Sequence, residues 1–284
     1  MNGIKIKFWG VRGSFPIPRS DDRFGGNTSC VEIQSNDEVV LFDMGTGLRD
    51  FGNSIMKNNE NITDINIVLS HYHYDHMLGF LMFTPLFIEK YNINIYAPGN
   101  SDNEIEANFQ SFLNSTFWPV EMNMFLAKIS FNHYTPSGSF DISNHIKIVS
   151  SPHGHPGGAN SLRAEIDRFS VTYVTDCEHP ESHLNQNVID ISRGADVLIH
   201  DAQYTPEQMP NHKGWGHSTW EHCTEVASKA KAKKLILFHH NPDHGDSILE
   251  GIEQEAKKLF ENTISAREGM EIFIPEEVSE TVIL

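Results

Sequence analysis

The chain alternates short apolar, β-branched runs with longer stretches in which apolar residues recur at three- and four-residue spacing. Runs of the first kind, bounded by turn residues, read as strands, and the second spacing reads as the buried face of a helix. Strands are expected at IKIKFWG (4–10), CVEIQ (30–34), EVVLFD (38–43), INIVLS (65–70) and INIYAP (93–98). The same pattern returns at IKIVSSP (146–152), SLRAEI (161–166), SVTYVTD (170–176), ADVLIHD (195–201) and KLILFHH (234–240). Helices are expected at EIEANFQSFLN (104–114), TWEHCTEVASKAKA (219–232) and ILEGIEQEAKKLF (248–260), with another starting at MLGFLMF (77–83). Ser218 reads as the N-cap of the helix from Thr219, and Glu221 sits in its first turn. Gly and Pro punctuate the joints at APGN, HPGGAN and NPDHGD, and no low-complexity linker interrupts the chain. One α/β domain over residues 1–284 is the expected organisation.

Six of these runs finish at His or Asp: Asp43, His71, His153/His155, Asp176, His200/Asp201 and His239/His240. Side chains delivered from several strand ends gather at one edge of a sheet, a usual place for a site in layered α/β proteins. The densest group is HYHYDH (71–76), directly after the INIVLS run. His71 and His73, at i and i+2, can point one way while Asp75 and His76 point another, which suits two neighbouring cations. The residues alone leave open His153 or His155 in SPHGHPGG, and His239, His240 or His244 in LFHHNPDHGD.

Charge narrows the partners. With 21 basic and 38 acidic residues the formal charge is −17. Such a surface repels polyanions within the Debye length, so a long nucleic acid is not expected. A small anionic substrate is allowed, because bound divalent ions dominate the field near them. No segment approaches the length of a membrane span, MNGIKIKFWG reads as a strand rather than a signal peptide, and the Cys are three and scattered. A cytoplasmic protein is expected.

The ordered motifs, from roughly Ile4 to Asp246, resemble the metallo-β-lactamase fold superfamily of hydrolases. That resemblance implies a four-layered αββα sandwich with two divalent ions per chain, Zn²⁺ first, Mn²⁺ or Fe as alternatives. It implies that Asp43 in LFDMGTG braces the metal loop. His71, His73 and His155 would hold one ion, Asp75, His76 and His239 the other, and Asp176 of VTDCEH would bridge them, with a shared hydroxide as nucleophile.

FWGVRGSFPIPRSDDRFGGNTSC, LIHDAQYT and GWGHSTWEH are similar to elements of the phosphodiesterase branch, which includes ribonuclease Z and the cyclic-nucleotide phosphodiesterases of the anti-Pycsar group. By that similarity Asp75, His217 and Asp201 are catalytic, His217 approaching the scissile phosphate and Asp201 holding its imidazole. This chain has Asp where ribonuclease Z has Glu. The arm with which ribonuclease Z grasps tRNA lies between the third-motif His and the bridging Asp. Here only residues 156–175 separate those positions, and they contain two Arg and no Lys. The expected substrate is therefore a 3′,5′-cyclic nucleotide, with a ribonuclease Z-like nuclease, a lactonase or a thioesterase as alternatives, and a non-catalytic nucleotide binder behind them. Trp215 and Trp118 are candidate substrate contacts, Phe117 and Met122 could wall a base pocket or form a dimer contact, and the resemblance implies a homodimer.

Overall fold

Each of the ten apolar runs forms a strand in the computed structural model, which describes residues 3–18, 23–57, 62–276 and 282–283. Residues 19–22 of the FWGVRGSFPIPRSDDRFGGNTSC segment lie outside the described residues. The chain divides into two compact units built from interleaved segments. Met1–Gly10, Ser29–Thr135 and Gly269–Leu284 make the first, and Val11–Thr28 with Pro136–Glu268 the second.

The first unit holds β1 (Gly3–Gly10), β2 (Cys30–Ser35), β3 (Glu38–Phe42), β4 (Asp64–Val68), β5 (Asn92–Pro98), β6 (Lys128–Tyr134), β14 (Glu271–Pro275) and β15 (Val282–Ile283). They pair as one sheet in the order β15-β14-β1-β2-β3-β4-β5-β6. Strands β3 to β6 run parallel, with Phe42 beside Val68 and Val68 beside Tyr96. Parallel neighbours need crossovers. Two of these carry the helices α1 (Gly47–Lys57) and α3 (Asp102–Phe112). Leu48, Phe51 and Ile55 of α1, with Ile105 and Phe109 of α3, join Val39, Leu41, Ile65, Ile67, Ile93 and Ile95 in a buried cluster. Each such side chain contributes about 1.5–3 kcal/mol by leaving water.

The expected helix at MLGFLMF does not form as such. Helix α2 is a single turn, Tyr74–Met77, followed by 3₁₀ turns at Leu78–Met82 and Thr84–Phe87. Pro85 opens the second of these turns and interrupts an α-helical hydrogen-bond ladder, while Phe80, Phe83 and Leu86 are buried in the cluster. Asp75 and His76 consequently sit in a helical turn rather than in a loop.

The second unit holds β7 (Ser139–Asp141), β8 (Ile146–His153), β9 (Ala159–Ile166), β10 (Phe169–Val174), β11 (Val197–Asp201), β12 (Leu235–Phe238) and β13 (Thr263–Ser265), paired in the order β13-β12-β11-β10-β9-β8-β7. Strands β10, β11 and β12 are parallel. Two antiparallel steps through β9 give β8 the same direction. The C-terminal ends of these four strands therefore lie along one edge, where His153, Asp176, Asp201 and His239 emerge. Helices α4 (Gln186–Ile191), α5 (Trp220–Ala230) and α6 (Asp246–Leu259) bury Val188, Val226, Ala227, Leu249 and Ile252 with Leu198, Leu235 and Leu237.

The N-cap of α5 is Thr219, not Ser218. Thr219 Oγ1 accepts from His222 N, and the His222 ring accepts from Thr219 N, a capping box. Ser218 Oγ instead donates to Cys177 O. Among the described residues, no helix is long and apolar enough to cross a membrane.

Three imidazoles are locked into the second unit: burial first pushes His153 and His200 down to about 4 and His240 to about 3. The unfolded chain protonates histidine near 6.5. Between that value and the folded ones the unfolded state binds more protons, so stability is full above about pH 6.5 and falls as pH drops towards 4. The melting temperature of chelated protein is expected to fall by roughly 5 °C or more between pH 7 and pH 5, measured by scanning calorimetry. A flat profile there would mean that these rings titrate freely.

Candidate metal centre

Strands β3 and β4 end side by side, and the residues after them form the first group. Asp43, fully buried, has φ 61°, a left-handed backbone uncommon outside glycine. This turns its carboxylate onto the loop after β4. Asp43 Oδ1 accepts from Ser70 N at 2.7 Å, and Oδ2 accepts from Ser70 Oγ at 2.9 Å and from His76 Nδ1 at 2.7 Å. Ser70 Oγ, its proton given to Asp43, accepts from His71 Nδ1 at 3.0 Å. One carboxylate thus sets the proton positions of two imidazoles, assigned here from the network, and leaves Nε2 of each as the lone-pair nitrogen. The His71 ring lies 4.5 Å from that of His73 and 4.3 Å from that of His76. His76 Nε2 is 3.2 Å from Asp75 Oδ2. Two acceptors at that separation call for a cation or a proton between them.

The second group comes from the strand ends of the other unit. Asp176 and His239 also have left-handed backbones, φ 53° and 56°. Asp176 Oδ2 accepts from Thr175 Oγ1 at 2.6 Å and lies 3.1 Å from His239 Nε2, while Oδ1 is 3.7 Å from His155 Nε2. His155 donates Nδ1–H to Gly216 O at 2.9 Å, again leaving Nε2 for a ligand. His217 Nδ1 donates to Asp201 Oδ2 at 3.0 Å, and the ring stacks on His239 with centroids 5.2 Å apart. Asp201 also accepts from Cys177 N and Gln203 N. A carboxylate held this way orients an imidazole and stabilises its protonated form.

The choices left open by the residues separate in the structure. Both nitrogens of His153 are engaged, Nδ1 with Ser161 Oγ at 2.8 Å and Nε2 with Asp176 O at 3.0 Å. His240 Nε2 donates to Ala266 O, and His244 Nε2 accepts from Gln208 Nε2. The buried trio Cys177, His179 and His200 also brings ligand-type atoms together. There, however, His179 Nδ1 accepts from Asn185 N, so its lone pair is used and its proton sits on Nε2. That ring has no free lone pair for a cation.

Trp118 and Met122 pack at the margin of the first unit's core, while Phe117 is 84% exposed. Trp215, 60% exposed, meets His212 edge-on, and His212 stacks on Tyr204. Sequence reasoning missed Ser70, Thr175 and Gln203, whose roles depend on partners that only the fold supplies. For Ser70 a signal existed, a polar residue closing an apolar strand.

The family described as the Beta-lactamase superfamily domain matches residues 38–240. The chain belongs to this family. Ribonuclease Z of Picrophilus torridus is 26% identical over 94% of this chain and 95% of that protein, and ribonuclease Z of Methanosarcina acetivorans 27% identical over 96% and 98%. Among solved structures, the metallo-beta-lactamase fold protein YhfI of Bacillus subtilis superposes with a TM-score of 0.73 at 20% identity, covering 96% of this chain and 100% of that one. The mixed α/β metallo-β-lactamase fold expected from the sequence is the fold found.

For a member of this family the donor set fits divalent ions. His71, His76 and His155 have Nδ1 engaged by protein groups and Nε2 left for a ligand, and His76 Nε2 and His239 Nε2 lie 3.2 and 3.1 Å from the carboxylates of Asp75 and Asp176. In Asp43→Asn an NH₂ must face at least one of three donors, so Zn²⁺ affinity measured by chelator competition is expected to weaken by about 10–100-fold. A Cβ on Gly13 would overlap the His239 ring and the Gln203 amide, so Gly13→Ala is expected to weaken Zn²⁺ binding in the same assay. Wild-type affinity in both variants would contradict the assigned roles.

Proposed function

We propose that the chain is a metal-dependent phosphodiesterase acting on small cyclic nucleotides. In this reading His71, His73 and His155 would hold one divalent ion, Asp75, His76 and His239 a second, and Asp176 would be a ligand to both. When bound, two such ions lower the proton affinity of water and neutralise charge on a phosphodiester. Asp201 keeps His217 oriented, so that His217 Nε2 holds the proton for the leaving oxygen. Family membership and relatives named ribonuclease Z support phosphodiester chemistry.

The small substrate rests on one observation. Between His155 and Asp176 the chain is a plain hairpin, β9 and β10 joined at Asp167–Arg168, with no room for an RNA-grasping arm. The charge of −17 points the same way. Ribonuclease Z-like RNA cleavage is the second reading, favoured by the names of the relatives. The proposal also assigns the chain to a reducing cytoplasm as a homodimer, with Cys30, Cys177 and Cys223 buried as free thiols.

Protein loaded with Zn²⁺ or Mn²⁺ and incubated with cAMP, cGMP, cCMP, cUMP, precursor tRNA and a lactone separates these readings. Chelator-sensitive turnover of a cyclic nucleotide is expected. Turnover of the tRNA or the lactone alone would replace the proposal. His217→Ala is expected to lower phosphodiester turnover by about 10²–10⁴ with metal content unchanged, and full activity would remove His217 as the acid.

A further inference from the structure

The segment that carries Trp215 and His217 is held by a residue with no part in the ligand set. Glu178 Oε1 accepts from Gly214 N at 2.7 Å, and Oε2 accepts from Gly216 N at 2.7 Å. Gly214 and Gly216 have φ +81° and +90°, and this alternation around Trp215 turns two amides towards one side. Such an arrangement is a nest, a concavity that binds an anion, and here the anion is a side chain of the same unit. The backbone of Glu178 is fixed independently, its N–H donating to Gly154 O at 2.9 Å. One residue thus joins the segment before His155 to the segment before His217.

Gly216 is the joint between them. Its N–H is bound by Glu178, its carbonyl accepts His155 Nδ1–H at 2.9 Å, and the next residue is His217, whose Nδ1 reaches Asp201. A side chain at Gly216 would collide with the His155 ring, so the backbone approaches that imidazole as closely as glycine allows. We propose that Glu178 is a positioning residue: its carboxylate clamps Gly214 and Gly216, and so holds both the acceptor that orients His155 and the backbone that delivers His217. This rests on the reading above, in which His155 is a metal ligand and His217 the acid.

The test uses full-length Glu178→Ala and Glu178→Gln, with Glu181→Gln as a control. Glu181 makes only an exposed ion pair with Lys213 on the same segment, and its replacement is expected to change nothing. By chelator competition, Glu178→Ala is expected to weaken binding of one Zn²⁺ by about 10–100-fold. With metal restored, kcat for bis-p-nitrophenyl phosphate is expected to fall by about tenfold or more while KM stays within about twofold. Glu178→Gln, with one acceptor oxygen left, is expected to lie between Ala and wild type in both readouts.

Wild-type affinity and kcat in Glu178→Ala would overturn the proposal. So would losses that vanish once corrected for the folded fraction seen in thermal melts, since those would make Glu178 merely structural. If the wild type cleaves no phosphodiester, the proposed function fails, and the Zn²⁺ titration still decides whether Glu178 positions His155.

Discussion

A carboxylate removed from water must be surrounded by donors, and two buried aspartates impose this demand on the ends of the strands. Asp43 collects an amide, a hydroxyl and an imidazole; Asp201 collects two amides and an imidazole. Charge-assisted hydrogen bonds contribute about 1.5–3 kcal/mol each, and a buried charge left without them costs several kcal/mol. The network is therefore close to all-or-none. Loops that supply the donors are held by the same bonds that orient His71, His76 and His217.

Backbone geometry carries part of the cost. Asp43, Asp176 and His239 each follow a strand in a left-handed conformation, which costs a non-glycine residue on the order of 1–3 kcal/mol. Each strand end gains a sharp turn that aims a side chain along the sheet edge instead of above or below the sheet. Glycine would relieve the strain and remove the functional group. The strain persists because Asp43 and Asp176 are tied at once to neighbouring donors.

These features differ in how far they can be read from sequence. Strands with dense β-branched runs are legible, because each buries at least one face. The edge strand β6, KISFNHY, is not, since its polar residues hide the alternation, and β13 has only three residues. Helix α1 was hidden by two glycines, although Leu48, Phe51 and Ile55 fall on one face. At MLGFLMF the apolar run reads as a helix, but Pro85 and the burial of Phe80, Phe83 and Leu86 go with tight 3₁₀ turns instead. In the candidate site, His and Asp at strand ends stood out by type and place. Glu178 did not, because its partners lie 36 and 38 residues away and are backbone amides of glycines, which leave no side-chain pattern.

The acidity of the chain bears on how an anion would bind. The proposed set contains four carboxylates, Asp43, Asp75, Asp176 and Asp201, within a chain of formal charge −17. Without cations such a set repels a phosphodiester at short range, where screening over a Debye length of about 8 Å gives little relief. In the proposed reading two divalent ions would offset the four formal charges, and the local field near them would favour an anion although the wider surface does not. A small substrate that fits within that local field feels attraction alone. A long polyanion would extend beyond it onto a surface of net negative charge and give back much of what it gains, so on the proposed reading the charge of the chain weighs more against a long nucleic acid than against a small anion.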